Sequence, residues 1–233
     1  MDDECVGVRH VETQLHDGGR HENVDVAIGE RRHGLLELIL AHPAVRDTEA
    51  GLGHRLLQDV RDRMGDSASL AVLSHDEILY LVHISTNRMI RVAAGYGTRF
   101  PAYPTSLGRV LLAYQPPERI EAYLDRVELR KLTEKTVTSR SRLETILRRC
   151  RREGYTSIQD ELDYGIVSVA VPVRSGSGDV VAAINCSTAT SRVDPGEMLV
   201  TRLPVLQRAA REIEIELQHY PVLVNSILAA AQA

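Results

Sequence analysis

The chain has 233 residues, of which 43% are hydrophobic and 26% charged, and a formal net charge of −4. This is room for one large domain or two small ones around a substantial core, and it excludes collagen-like, disordered and membrane-spanning classes. No run approaches the ~20 apolar residues that a bilayer span needs, and the acidic start is unlike a signal peptide, so a cytoplasmic protein without membrane contact is expected.

The first 34 residues contain five glycines, scattered charges and His10, His16, His21 and His33, with no sustained helical or strand period. A poorly ordered segment is expected. The histidines lack metal-ligand spacing and read as solvated side chains. A short apolar stretch at 35–40 follows. Leu52, Leu56, Leu57, Val60 and Met64 then recur at helical spacing, which predicts an amphipathic helix ending at Gly65. Runs at 69–73 and 78–84, joined by Ser74-His75-Asp76-Glu77, predict a β-hairpin, and 89–94 a third strand.

Gly95 and Gly97 break the pattern, and Pro101 and Pro104 flank an extended connection before Thr105-Ser106-Leu107-Gly108 opens a helix through Tyr114. Pro116-Pro117 opens the next, over 119–124. A third helix, 141–153, carries Leu143, Ile146, Leu147 and Cys150 on one face and ends at Gly154. Strands follow at 155–158, 167–173 and 180–186, with a Ser/Gly turn at 175–179, and one long helix over 195–219 closes the core. The alanine-rich end is expected to fray. Helices and strands in this order give an α+β fold, with helices packed on a mostly antiparallel sheet.

Few motifs carry chemistry. Gly51-Leu52-Gly53 and Gly95-Tyr96-Gly97 both lack the third glycine of a dinucleotide loop. There is no P-loop and no G-x-S-x-G elbow. Asp160 and Glu161, adjacent on a loop, read as solvated carboxylates rather than a catalytic pair. Cys5, Cys150 and Cys186 are an odd number at unrelated spacings, which gives neither a disulfide framework nor a zinc pattern. No enzyme activity, no metal and no cofactor are expected.

Three stretches instead read as walls of one binding site. The helix start at Thr105–Gly108 offers small polar side chains and unpaired backbone N–H groups that favour a carboxylate. Ser168 interrupts an apolar strand, and Asn185 and Ser187, two apart, share a strand face. Buried polar groups need partners, so these could converge on a ligand with hydroxyls or carboxylates. The competing reading is that each bonds a neighbouring loop or caps a helix.

The motifs GTRFPAYPTSLGRVLLA (97–113), Gly154-Tyr155, Asp160-Glu161, GIVSVAVP (165–172) and AAINCS (182–187) together resemble the effector-binding domain of IclR-type bacterial transcriptional regulators, over about residues 52–220. The wording PAYPTSLGR (101–109), ILYL (78–81) and AINCS (183–187) is most similar to the subgroup that controls aromatic-acid breakdown through the β-ketoadipate pathway. The resemblance implies a GAF-like α+β effector domain at 51–222, followed by a tail at 223–233. It implies a small carboxylic-acid effector such as protocatechuate, 4-hydroxybenzoate or β-ketoadipate, held at Ser106, Leu107, Ile158, Ser168, Asn185 and Ser187. Ile158 stands where some relatives place an aspartate, which makes the site less hostile to an anion. Homodimers or tetramers are implied as well.

Relatives carry a winged helix-turn-helix ahead of this domain. Residues 1–50 show no such periodicity, and Arg31-Arg32 is a small basic cluster. A truncated, mis-started or frame-shifted reading frame is the expected explanation, with DNA binding only where a helix-turn-helix is supplied. The alternative function is a protein that only associates, forming mixed oligomers with intact regulators.

Overall fold

The computed structural model describes residues 50–86 and 95–232. The expectations for residues 1–49 and for a strand at 89–94 therefore lie outside the described residues. Helix α1 (Ala50–Met64) turns Leu57 and Val60 inward and leads into the hairpin of β1 (Ser67–Ser74) and β2 (Glu77–Ile84). His75 takes φ 55° in the tight turn between them. A short strand, β3 (Arg99–Pro101), pairs with the outer edge of β2 where the sequence suggested only an extended connection.

Helix α2 (Ser106–Ala113) starts at Thr105, whose side chain accepts from the Gly108 N–H. Helix α3 (Pro117–Arg126) opens on a proline whose missing N–H costs nothing there. Helix α4 (Arg140–Glu153) is capped by Ser139 and stopped by Gly154 at φ +77°, a left-handed conformation that suits glycine. Three strands follow: β4 (Thr156–Gln159), β5 (Ile166–Arg174) and β6 (Val180–Ala189). Pro172 is tolerated within β5 because β4 reaches only as far as Ala170, so no neighbour on that side lacks a donor.

The strand order is β3-β2-β1-β6-β5-β4, and every pair is antiparallel. Pairing of β1 with β6 brings the start and end of the domain together at the sheet centre. The period of two sorts the side chains onto two faces. Ala68, Val72, Leu79, Val167, Val169, Val171, Val173, Ile184 and Cys186 form a first core with α1 and the C-terminal helices. Ala71, Ile78, Tyr80, Ala170 and Ala183 form a second with α2, α3 and α4. Full burial of each large aliphatic side chain contributes about 1.5–3 kcal/mol.

The C-terminal region departs from the sequence reading in two ways. The expected single helix over 195–219 is two, α5 (Pro195–Thr201) and α6 (Leu203–Leu217). Pro204 cannot donate to the ladder, and the helix breaks at Arg202 just before it. The stretch 223–233, expected as a tail, is largely helix: α7 (Pro221–Gln232) buries Leu223 and Ile227 in the first core. Its small, apolar sequence is a good helix former, and two buried anchors hold it.

Ion pairs to one buried carboxylate fasten these layers. Asp66, between α1 and β1, has no exposed side-chain surface and accepts from Arg192 Nη1 at 2.7 Å and Arg202 Nε at 3.0 Å. It thereby ties the hairpin to the approach to α5 and to the α5–α6 break. Cys186 and Cys150 are free and buried, and burial pushes the Cys150 thiol up to about 12, far from a reactive thiolate.

Candidate functional site

Strand pairing decides which polar residues meet on the face covered by α2. Ile158 on β4 stands opposite Ser168 on β5, and Ser168 opposite Ser187 on β6. One position along, Ala170 stands opposite Asn185, and Asn185 opposite Ser69 on β1. Ser106, the first residue of α2, shares a 2.8 Å hydroxyl–hydroxyl hydrogen bond with Ser168. Leu107 beside it is fully buried in the same core as Ala170 and Ala183. The six residues singled out from the sequence are thus brought together at one end of one sheet face.

The competing expectation, local satisfaction, holds for part of this set. The Ser106 and Ser168 hydroxyls satisfy each other, and Asn185 Nδ2 donates to Ser187 Oγ at 3.0 Å. Two kinds of group stay open. The Thr105 cap takes the Gly108 N–H, which leaves the Ser106 and Leu107 N–H groups without an acceptor among the described residues. Asn185 is 4% exposed, and its Oδ1 has no donor. Unmet donors at a helix N-terminus favour an anion, and an unmet buried acceptor favours a donor.

The sequence reading missed Ser67, Ser69 and His83. The Ser67-Ala68-Ser69 alternation in β1 was a legible signal, because polar residues two apart share a face. His83 was hidden. Its register sets His83 opposite Ser69 and Val82 opposite Leu70, but Tyr80 opposite Ala71, so Leu81 is an extra residue in a β-bulge. The bulge lets Tyr80 and His83, three apart, face the same side. His83 Nδ1 lies 2.9 Å from Ser69 Oγ, and burial holds the imidazole below its usual pKa, so the ring is neutral near pH 7.

Asp160 and Glu161 are a correction. Both are buried, not solvated. Glu161 grips Arg109 of α2 in a two-pronged pair, at 2.7 Å from Nη1 and 2.5 Å from Nη2, and also accepts from the Val137 N–H at 3.1 Å. Arg109 Nε donates to the Tyr103 carbonyl at 2.8 Å. Burial works against the Asp160 carboxylate, but Lys135 and the Gly165 N–H outweigh it and hold its pKa below the usual range. These bonds fix the position of α2 over the sheet, which makes the two carboxylates supports of the site. Among the described residues no group of three His, Cys, Asp or Glu side chains could hold a metal ion. No helix among them is long and apolar enough to cross a membrane.

The C-terminal domain of the bacterial IclR transcriptional regulators matches residues 50–215. A Pca regulon regulatory protein of Pseudomonas putida is 34% identical over 178 residues, covering 76% of this chain and 61% of that protein. The inducer-binding domain of the PobR transcription factor of Acinetobacter, a double mutant complexed with 3-hydroxybenzoic acid, superposes with TM-score 0.66 at 28% identity. The match covers 71% of this chain and 97% of that one. An IclR homologue from Microbacterium hydrocarbonoxydans, complexed with 4-hydroxybenzoate, gives TM-score 0.67 at 28% identity over 82% of this chain and 75% of that one. The chain spans about three fifths of the length of the first curated relatives it matches. The family match spans residues 50–215, most of the chain, and the chain belongs to the IclR family of bacterial transcriptional regulators, whose effector domain it carries.

Proposed function

We propose that this chain senses a small aromatic or keto acid through Ser106, Leu107, Ile158, Ser168, Asn185 and Ser187, and that binding controls genes of aromatic catabolism. The observation that carries the reading is the convergence of these residues under the start of α2, where strand register and the Ser106–Ser168 bond set them side by side. The carboxylate lies against the Ser106 and Leu107 N–H groups, where orphan donors and the helix dipole favour it. Ile158 adds no negative charge beside it. The ring or chain of the acid runs along the sheet toward Asn185. The named binding of hydroxybenzoates by two structural relatives, and the Pca role of a third, support an aromatic effector.

Residues 51–222 act in this reading as the effector domain. Dimers or tetramers pass its ligand-dependent shift to DNA through a helix-turn-helix, as a population shift between two quaternary arrangements. Calorimetric titration of the chain with protocatechuate, 4-hydroxybenzoate and β-ketoadipate tests it. Saturable binding of one acid, weakened about tenfold by Ser168→Ala in a domain that stays folded, is expected. Silence toward all three refutes it.

A further inference from the structure

Asn185 Oδ1 is a buried amide oxygen with no donor, while the Nδ2 of the same side chain is committed to Ser187. A group in that position has given up its bond to water and received nothing in return, so it rewards any ligand that brings a hydrogen-bond donor. Its neighbour across β1 is Ser69, and beyond Ser69 in the same row stands His83. Those two bond each other at 2.9 Å. The buried guanidinium of the neighbouring helix, Arg109, is spent on Glu161 and the Tyr103 carbonyl. With His83 neutral through burial, this row carries no positive charge. The two ends of the site therefore differ in kind: N–H donors at the start of α2, and an unmet acceptor in a neutral row one strand further on.

We propose that Asn185, with Ser69 and His83 behind it, reads a hydroxyl group on the bound acid, so that the site prefers a hydroxy acid to a keto acid or a diacid. This rests on the effector reading above and narrows it. The ligand's O–H donates to Asn185 Oδ1. With His83 Nδ1–H donating to Ser69 Oγ, the Ser69 hydroxyl is left to donate to the oxygen of the same ligand hydroxyl, which is then met from both sides. His83 is a positioning residue that sets the direction of the Ser69 hydroxyl. The far end of a keto acid or diacid offers only acceptors at neutral pH. A second carboxylate there would lose its hydration against a neutral row.

The test is calorimetric titration of the full chain with benzoate, 3-hydroxybenzoate, 4-hydroxybenzoate, 4-methoxybenzoate and β-ketoadipate. At least one hydroxybenzoate should bind about tenfold or more tightly than benzoate, since an unmet buried acceptor is satisfied, and the methoxy compound should gain nothing. In Asn185→Leu the ratio of hydroxybenzoate to benzoate affinity should collapse to about twofold or less, whatever the change in benzoate binding itself, and His83→Phe should reduce the same ratio. Equal affinity for benzoate and both hydroxybenzoates, tighter binding of β-ketoadipate, or an advantage that survives Asn185→Leu would overturn the inference while leaving the effector reading in place. Silence toward every acid would overturn both. The series on the unmodified chain decides the matter even if a variant fails to fold.

Discussion

Replacing Arg109 by methionine isolates the contact that seats α2. Arg109 is 2% exposed and makes three hydrogen bonds of 2.5–2.8 Å, two to Glu161 and one to the Tyr103 carbonyl. Glu161 is itself buried, and the remaining bond of its carboxylate is from the Val137 N–H. Methionine fills much of the arginine volume, so the change removes charge and donors more than packing. What remains is a carboxylate held out of water with one backbone donor. Loss of one partner from a buried pair costs about 3–5 kcal/mol, because the other charge stays desolvated. In a domain of this size each kcal/mol shifts the midpoint by about 2–4 °C, so Arg109→Met should lower Tm by roughly 6–20 °C.

The double variant Arg109→Met with Glu161→Leu supplies the control. It removes both charges, so much of the single-variant loss should return, and the two substitutions should be strongly non-additive. Urea and thermal unfolding followed by circular dichroism at high and low salt would measure this. Burial keeps the pair from screening, so the difference should change little with ionic strength. A loss below about 1 kcal/mol for Arg109→Met, the size expected of an exposed pair, would refute the reasoning. Simple additivity of the two substitutions would do the same.

Three other outcomes follow from single contacts. A Cβ on Gly108 would lie 2.1 Å from the Ala102 carbonyl oxygen, which is backbone and cannot swing away, so Gly108→Ala should unseat α2 and lower Tm by several degrees or more. An unchanged melting curve would show that the helix does not approach Ala102 this closely. Asp66→Asn should cost about 1.5–3 kcal/mol, since Arg192 and Arg202 lose the charge-assisted bonds to their shared buried carboxylate. Asp62→Asn, on the exposed partner of Arg61, should stay within about 0.5 kcal/mol in the same urea series. Because burial lowers the folded-state pKa of His83, the unfolded chain takes up its proton first as pH falls. The stability this contributes is complete above about 6.5 and is lost as pH falls from there through the lowered folded value. Urea midpoints for the native chain and His83→Gln should converge between pH 7.5 and 5.5, and parallel profiles would contradict this.

Signals that act within a few residues were readable from the sequence, and those that depend on pairing were not. Ser139 before α4 and Gly154 after it are local grammar, and so is the alternation that put Asn185 and Ser187 on one face. Ser168 stood out because a lone hydroxyl in the apolar β5 run has few local partners. Its actual partner, Ser106, lies 62 residues away, yet both were found, Ser168 because it breaks an apolar run and Ser106 because it opens a helix. Glu161 breaks no pattern. Polar and next to another acid on a loop, it looks solvated until Arg109, 52 residues earlier, folds across it. The position of Arg109 inside an otherwise apolar helix was the available clue, since a guanidinium there must find an anion.

His83 marks a different limit. Alternation alone would turn Ile78, Tyr80 and Val82 to one side and His83 to the other, away from the site. One extra residue at Leu81 reverses the parity and brings His83 round to Ser69. A bulge is a relation between two strands, set by which residues of β1 find partners, so it leaves no mark in the β2 sequence read alone. The same holds for the most informative atom of the site. That Asn185 is polar and inward could be read from the sequence. Its Nδ2 bonds Ser187 two residues on in the same strand, but that its Oδ1 is left over depends on the two strands beside it. This asymmetry turns a polar position into a requirement for one kind of ligand group, and it places the discrimination between candidate acids in the fold rather than in any motif.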